Sequence, residues 1–319
     1  MICISKLIDH ILSNTCLIES NSFYYGKAGI SLALFEAFRY TQNENTENEA
    51  FNLLQEALVS QRGDCSFEKG LSGIGYVLCY LIENKFIEAD FDEIFGEQYE
   101  KIIKSFEKIE LNPEKLLSSP RVIYFLSLVK NVKPKDERPQ KIIKKIFEGL
   151  ELFLIVQFQD FTDINYINDK MSVLNIYETY LKLINYTNYR YFSHSLLRNY
   201  VNLYQSGILT TSPYIGYYLA MLVNENKITG YDDVINDHII NGGKNINFDN
   251  LSLKEKVDFI KLISDMEDNG IKHHNPAINL KEMKQNLFLQ IDVNSCMLDY
   301  EIGLSRLLLF CVNRRTKLL

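Results

Sequence analysis

The sequence predicts an all-α protein built from repeated helical hairpins. Apolar residues recur at helical spacing along nearly all of the 319 residues, and almost no segment alternates as a half-buried strand does. The stretches Gly26-Lys27-Ala28-Gly29-Ile30 and Gly70-Leu71-Ser72-Gly73-Ile74-Gly75 share one pattern of glycines followed by an apolar run. Because internal repeats of this kind are typical of stacked or closed arrays of hairpins, we expect a single domain over residues 1–319.

In the first half of the chain, each predicted helix has one apolar face and a polar or glycine-containing start. Phe51, Leu54 and Leu58 lie on one face of the third helix, and Pro120 is expected in the first turn of the sixth, where its missing N–H costs little. A polar loop is predicted at 42–46. The predicted helices cover residues 7–12, 26–38, 47–60, 70–82, 92–109 and 120–129.

In the second half, prolines and glycines mark the predicted helix boundaries. Pro134 and Pro139 are expected in a link, Pro213 at a helix start, and Gly242 and Gly243 in a loop over 241–245. The predicted helices cover residues 140–159, 170–184, 190–204, 213–223, 231–240, 253–264, 276–291 and 300–312.

Equivalent positions in the second helix of each hairpin follow one another at intervals of 41 to 51 residues. The seven markers are Gly29, Gly73, Val122, Val173, Gly216, about Val257, and Gly303. A single hairpin cannot bury its apolar face, so the units must stack or close into a ring. Small residues at several helix starts allow those starts to converge. We therefore predict a closed α/α toroid, a double α-barrel of seven inner and seven outer helices.

Composition excludes several functional classes. A net charge of -7 and a pI of 5.4 argue against a nucleic-acid partner. The sequence has no apolar run of the ~20 residues that a membrane span needs, and its first residues do not resemble a secretory signal. Six cysteines without a CxxC pair are typical of reduced thiols rather than of a disulfide framework. These features predict a cytoplasmic protein.

The glycine-containing helix starts resemble those of the lanthionine synthetase C-like family. The resemblance rests on residues 26–30 and 70–75, with further support at Pro213-Tyr214-Ile215-Gly216 and Ile302-Gly303-Leu304. It implies an α/α toroid of seven inner and seven outer helices. In that family, a zinc ion held by two cysteines and a histidine activates a peptide cysteine that adds to a dehydrated Ser or Thr. The implied role is in the maturation of ribosomally made peptides.

The positions that match the family's zinc ligands carry other residues. They fall on Thr211, Ser252 and Leu253, and a further family histidine falls on Asp169. Hydroxyl and aliphatic groups do not replace thiolate and imidazole around zinc. The resemblance thus implies a zinc-free relative, a pseudoenzyme without a cofactor, and it leaves open whether the chain is an enzyme. Its expected partners are a precursor peptide, a peptide-modifying enzyme, or both.

Polar residues near the predicted helix starts are the candidate peptide-binding residues; no catalytic residue is assigned. This set comprises Lys27, Glu68, Lys69, Arg121, Asp169, Lys170, Tyr214, Asp299 and Glu301. Three alternatives stay open: a substitute metal site at His273, His274 and Cys296, acid–base chemistry by Asp169, Asp299 or Glu301, and a scaffold that acts through its outer surface.

Overall fold

The all-α prediction is confirmed. The computed structural model describes residues 4–59, 64–163, 167–271, 279–290 and 296–313, and within these residues the chain forms fifteen α-helices and no strand. No helix in this part of the chain is both long enough and apolar enough to cross a membrane. The helices are α1 Ile4–Asn14, α2 Lys27–Thr41, α3 Glu44–Val59, α4 Leu71–Glu83, α5 Phe91–Phe106, α6 Pro113–Ser118, α7 Val122–Val132, α8 Arg138–Gln159, α9 Ile167–Thr187, α10 His194–Gln205, α11 Pro213–Asn226, α12 Asp232–Lys244, α13 Leu253–Asp268, α14 Leu280–Gln290 and α15 Leu304–Val312.

Seven of these helices form a series in which each packs against the next. The series runs α2, α4, α7, α9, α11, α13 and α15, and α15 in turn packs against α2. Most of the remaining helices pack beside the member of this series that precedes or follows them in sequence. Examples are α3 against α2, α5 against α4, α12 against α11 and α14 against α13.

Several predicted boundaries were wrong for identifiable reasons. The loop predicted at 42–46 contains only Gln42 and Asn43, because Gln42 takes a left-handed conformation (φ 56°) that ends α2 at once. The sixth predicted helix begins two residues after Pro120, at Val122, and the short helix α6 before it was not predicted.

The loop predicted at 241–245 is also wrong, because α12 continues through both of its glycines to Lys244. A Cβ atom on Gly242 would lie 2.8 Å from the Pro213 ring, so this glycine lets α12 approach the start of α11 closely. Glycine here serves packing between helices rather than a turn.

Large aromatic side chains fill the space between the two sets of helices. Phe35, Phe95, Phe106, Tyr99 and Tyr180 are all essentially inaccessible to solvent. Buried phenol groups need partners, and two of these find carboxylates: the hydroxyl of Tyr99 donates to Asp136 at 2.6 Å and that of Tyr180 to Glu151 at 2.6 Å. This packing supports the helix starts at which the predicted site residues lie.

Candidate functional site

The starts of α2, α4 and α15 have the same backbone geometry. Gly26, Gly70 and Gly303 are their N-cap residues, all with extended backbone. A Cβ atom on any of the three would lie 2.2 Å from the carbonyl oxygen six residues earlier, so only glycine fits. The next residue donates its N–H to that same carbonyl; the pairs are Lys27 to Ser20 at 2.9 Å, Leu71 to Asp64 at 2.9 Å, and Leu304 to Met297 at 2.8 Å.

This shared geometry corrects the seventh marker. Gly303 is equivalent to the first glycines, Gly26 and Gly70, and not to the second ones. Three residues further on, at the position of Gly29 and Gly73, the seventh repeat carries a fully buried arginine, Arg306. The predicted register was therefore three residues too early at this helix.

The three starts are hydrogen-bonded to one another. Tyr24, Glu68 and Glu301 each lie two residues before the N-cap glycine. The Tyr24 N–H donates to the Glu68 carbonyl at 3.1 Å, and the Tyr24 carbonyl accepts from the N–H groups of Tyr300 and Glu301, both at 2.9 Å. The loops before α2, α4 and α15 consequently lie side by side.

Four of the predicted site residues lie at these joined loops. Arg121 pairs with Glu68 at 2.9 Å, and Glu301 pairs with Lys254. Asp299 is buried and accepts a hydrogen bond from the Ile302 N–H at 2.9 Å. Burial raises the pKa of Asp299, and the neighbouring carboxylate of Glu301 adds to that effect.

The other predicted site residues are more dispersed. The Lys69 ammonium lies 5.5 Å from the Tyr25 ring, near the joined loops, whereas Lys27 pairs with Glu56 of α3 at 2.5 Å. Asp169 is exposed in the first turn of α9, and Lys170 lies 5.5 Å from the Phe161 ring. Among the described residues, no hydrogen bond or ion pair joins Asp169 or Lys170 to the joined loops.

A second polar group, absent from the predicted set, lies on helices of the seven-helix series. Arg306 of α15 donates from Nε and Nη2 to one carboxylate oxygen of Asp258 of α13, at 2.9 and 2.5 Å. Only 2% of Arg306 is exposed. A buried guanidinium needs such a partner, because an unpaired buried charge is costly.

Lys182 of α9 belongs to the same group. It is partly accessible, yet burial lowers its pKa to about 8, and the nearby guanidinium groups of Arg306 and Arg121 lower it further against the opposing effect of Asp258. The charges of Asp258 on α13 and Arg306 on α15 act on Lys182, although α9 itself packs mainly against α7, α8 and α11.

Tyrosines of α9 and α11 are also partly accessible. Burial raises the pKa of Tyr186, Tyr214 and Tyr218, to about 12 for Tyr186. Tyr186 meets Tyr124 of α7 edge-on, with ring centroids 4.7 Å apart. The charges of Asp258 and Glu178 further raise the pKa of the predicted residue Tyr214.

A sequence signal for the missed residues exists. Lys182 interrupts the apolar run Tyr180-Leu181-Lys182-Leu183-Ile184, and Arg306 interrupts Leu304 to Phe310. A charged residue inside a helix that is apolar on all sides must have a partner or face a polar space.

The positions equivalent to the family's zinc ligands have structural roles. Ser252 caps α13: its hydroxyl accepts from the Glu255 N–H at 3.3 Å while Glu255 accepts from the Ser252 N–H at 2.8 Å. Thr211 accepts a hydrogen bond from Asn245 at 3.3 Å. Leu253 offers no donor atom to a metal, so the residues at these positions do not fit zinc.

The alternative metal site lies largely outside the described residues, since His273 and His274 fall within 272–278. Cys296 is partly buried. Among the residues that the structure describes, no group of three or more His, Cys, Asp or Glu side chains is arranged to hold a metal ion.

One buried histidine fixes the start of α11. His238 of α12 accepts from the Ser212 N–H at Nδ1 (3.0 Å), so Nε2 carries the proton and donates to the Tyr200 hydroxyl (3.1 Å). Ser212 is the N-cap of α11. Burial lowers the pKa of His238 to about 4, which keeps the ring neutral at physiological pH.

No protein-family model matches the sequence, and no curated protein or solved structure matches the chain. The function is therefore argued from the site alone.

Proposed function

We propose that the chain is an α/α toroid whose central recess binds a peptide. The series of seven helices, with α15 packed against α2, supports a ring of inner helices, and the helices outside that series supply the outer ring. Helix starts joined by the Tyr24, Glu68 and Glu301 hydrogen bonds form one mouth of this ring. The recess opens between them.

One observation supports the binding function: four side chains are buried enough to shift their pKa values and are still partly accessible to solvent. They are Lys182, Glu178, Tyr214 and Tyr218. These side chains belong to two adjacent inner helices, and their pKa values respond to burial although all four retain accessible surface. Tyrosine rings provide apolar area together with a hydroxyl, which suits the mixed surface of a peptide. A closely packed core would have no recess, whereas a central recess has room for an extended peptide.

Within this proposal the chain is a zinc-free relative of the lanthionine synthetase C-like proteins. The capping role of Ser252 and the hydrogen bond to Thr211 support this assignment, because those positions serve the fold instead of a metal. The bound peptide is a precursor in the maturation of ribosomally made peptides, in the cytoplasm, and a peptide-modifying enzyme is its second partner.

Metal analysis combined with a binding assay tests the proposal. The purified protein is measured for zinc by elemental mass spectrometry, and its retention of mixed-sequence peptides is measured by equilibrium dialysis. We expect substoichiometric zinc and retained peptide. Stoichiometric zinc together with thioether formation from a dehydrated peptide would show an active cyclase instead.

A second candidate is an acid–base enzyme that uses the same mouth. The buried Asp299 carboxyl, with its raised pKa beside Glu301, is the observation that favours it, because carboxyl groups with a perturbed pKa are typical general acids and bases. Separate Asp299→Asn and Glu301→Gln variants test it on any turnover detected with the dialysed peptides. A loss of turnover of about 100-fold supports acid–base catalysis, and unchanged turnover rejects it.

A third candidate is a scaffold that acts through its outer surface. Hydrogen exchange distinguishes this scaffold from the peptide-binding proposal. In complex with a peptide-modifying enzyme, the proposal predicts protection at residues 20–27, 64–71 and 297–304. Protection confined to the outer helices α5 and α8 would favour the scaffold.

A further inference from the structure

Lys182 differs from Arg121, Arg306 and Lys254 in having no carboxylate partner at ion-pair distance. It makes no hydrogen bond and no ion pair within 4 Å with any residue that the structure describes. Arg121 pairs with Glu68, Arg306 with Asp258, and Lys254 with Glu301. The charges of Asp258 and Glu178 act on Lys182 from beyond that distance, so its ammonium still lacks a hydrogen-bonded carboxylate.

The nearest carboxyl group on its own helix does not fill that role. Glu178 lies one helical turn before Lys182, a spacing at which Glu and Lys commonly pair. Its carboxylate instead accepts from the Ser212 hydroxyl at 3.5 Å, on the side of α11. Burial raises the pKa of Glu178, against the opposing effect of the Lys182 charge.

The Lys182 ammonium is also reachable. Its side chain keeps part of its surface accessible, and its nitrogen is absent from the fully enclosed polar atoms of the described residues that lack a partner. A ligand oxygen that reaches it gains a charge-assisted hydrogen bond in surroundings of low polarity, where such a bond is strong.

The charges around Lys182 define the ligand class. Asp258 and Glu178 oppose a group with several negative charges, while Arg306 and Arg121 add positive potential. A single carboxylate matches this balance better than a phosphate, which carries between one and two charges at neutral pH. The surrounding tyrosine rings suit the rest of a peptide.

We propose that Lys182 binds a carboxylate of the peptide held in the recess, from either an acidic side chain or the C-terminus. This inference rests on the proposed peptide-binding function. It makes Lys182 the residue that selects acidic peptides over neutral ones.

Four pools of N-acetylated peptides of mixed sequence test it by equilibrium dialysis and mass spectrometry. Two properties vary independently among the pools. The C-terminus is either free or amidated, and the polar side chains are either Asp and Glu or Asn and Gln. We expect Lys182→Met to lose about tenfold to 100-fold in retention of carboxylate-bearing pools and to leave the neutral amidated pool unchanged. If retention requires the free C-terminus, the terminal carboxylate is the group that Lys182 binds. If the acidic amidated pool is retained, Lys182 binds an acidic side chain.

Matched variants control for charge and folding. Lys130→Met removes the same charge from an exposed position on α7 and should retain every pool as the wild type does. Lys182→Arg should keep most of the retention. In the unchanged protein, carboxylate-bearing pools should also protect Lys182 from reductive methylation while Lys130 stays reactive, a readout that needs no variant.

The outcomes separate the two claims. Equal retention of acidic and neutral pools, with no effect of Lys182→Met, overturns the carboxylate site and leaves peptide binding intact. Retention of none of the pools overturns the peptide-binding function and the carboxylate site together.

Discussion

The starts of α2, α4 and α15 are built from backbone, whereas the starts of α11 and α13 are built from side chains. In the first group, glycine N-caps allow a carbonyl six residues earlier to approach closely, and the loops bond to each other. In the second, Ser212 and Ser252 cap the helices, and His238 holds Ser212 in place. Both solutions satisfy the free N–H groups of a helix start.

The difference shows where the chain departs from a repeated design. The backbone solution tolerates only glycine, and so it is visible as a motif in the sequence. The side-chain solution includes Ser252, a position where the resemblance places a zinc ligand, and Ser212, which follows another such position, Thr211. The first region shows a repeated backbone pattern, whereas the second depends on the hydrogen bonds of individual side chains.

Substitution of Gly73 is the largest expected perturbation. A Cβ atom there would lie 2.1 Å from the Phe67 carbonyl oxygen and 2.6 Å from the Phe23 side chain, so the loop must move. We expect Gly73→Ala to lower the free energy of unfolding by about 3 kcal/mol or more, measured by urea denaturation.

Gly96→Ala is the matched control. Gly96 lies inside α5, and a Cβ atom there would meet nothing closer than 3.9 Å. Alanine should therefore stabilise the protein by about 0.5 to 1 kcal/mol, since it favours the helix. Similar losses in both variants would mean that the close approach at Gly73 is not what the structure describes.

The side-chain region should be the acid-sensitive one. The pKa of His238 is about 4 in the folded protein and 6.5 ordinarily, so the unfolded chain binds a proton at a higher pH than the folded one. The stabilisation is complete above pH 6.5 and is lost as the pH falls through about 4, by at most about 3 kcal/mol. Urea denaturation across this pH range measures it.

A His238→Gln variant isolates this effect from the many carboxylates of the chain. It should be less stable than the wild type at neutral pH because the Ser212 and Tyr200 hydrogen bonds are weakened. The gap between the two proteins should narrow toward pH 4. A gap that stays constant would assign the acid sensitivity to other groups.

Ser252→Ala tests the smallest effect, the cap at a zinc-ligand position. Loss of the capping box should cost about 1 kcal/mol of unfolding free energy, with the fraying seen as faster hydrogen exchange at the start of α13. Thr211→Ala, which removes one long hydrogen bond at 3.3 Å, should cost less than about 0.5 kcal/mol. Equal costs at both positions would contradict the capping role assigned to Ser252.

Much of the helix arrangement follows from local sequence signals, and the recess does not. Glycine spacing and helical periodicity predicted the starts of α2 and α4 within one residue. Gly242 and Gly243 were misread as a loop because close packing between α12 and α11 is a tertiary effect. The pairing of Arg306 with Asp258 joins residues of two helices far apart in sequence, and neither has a motif around it.

The site residues were predicted unevenly for the same reason. Glu68, Asp299 and Glu301 lie beside glycine-containing starts and Arg121 lies at the start of α7, so proximity in sequence to helix starts brought them into the predicted set. Lys182 lies mid-helix, and its role depends on what faces it across the recess.

The titration of Lys182 tests the central claim, that the inner helices enclose an accessible recess. Reductive methylation with ¹³C-formaldehyde gives each reactive lysine an NMR signal, and Lys182→Arg identifies the signal of Lys182. We predict that Lys182 is methylated and titrates near pH 8, well below the ordinary lysine value of 10.5. A Lys182 that resists methylation, or one that titrates near the ordinary value, would contradict the recess.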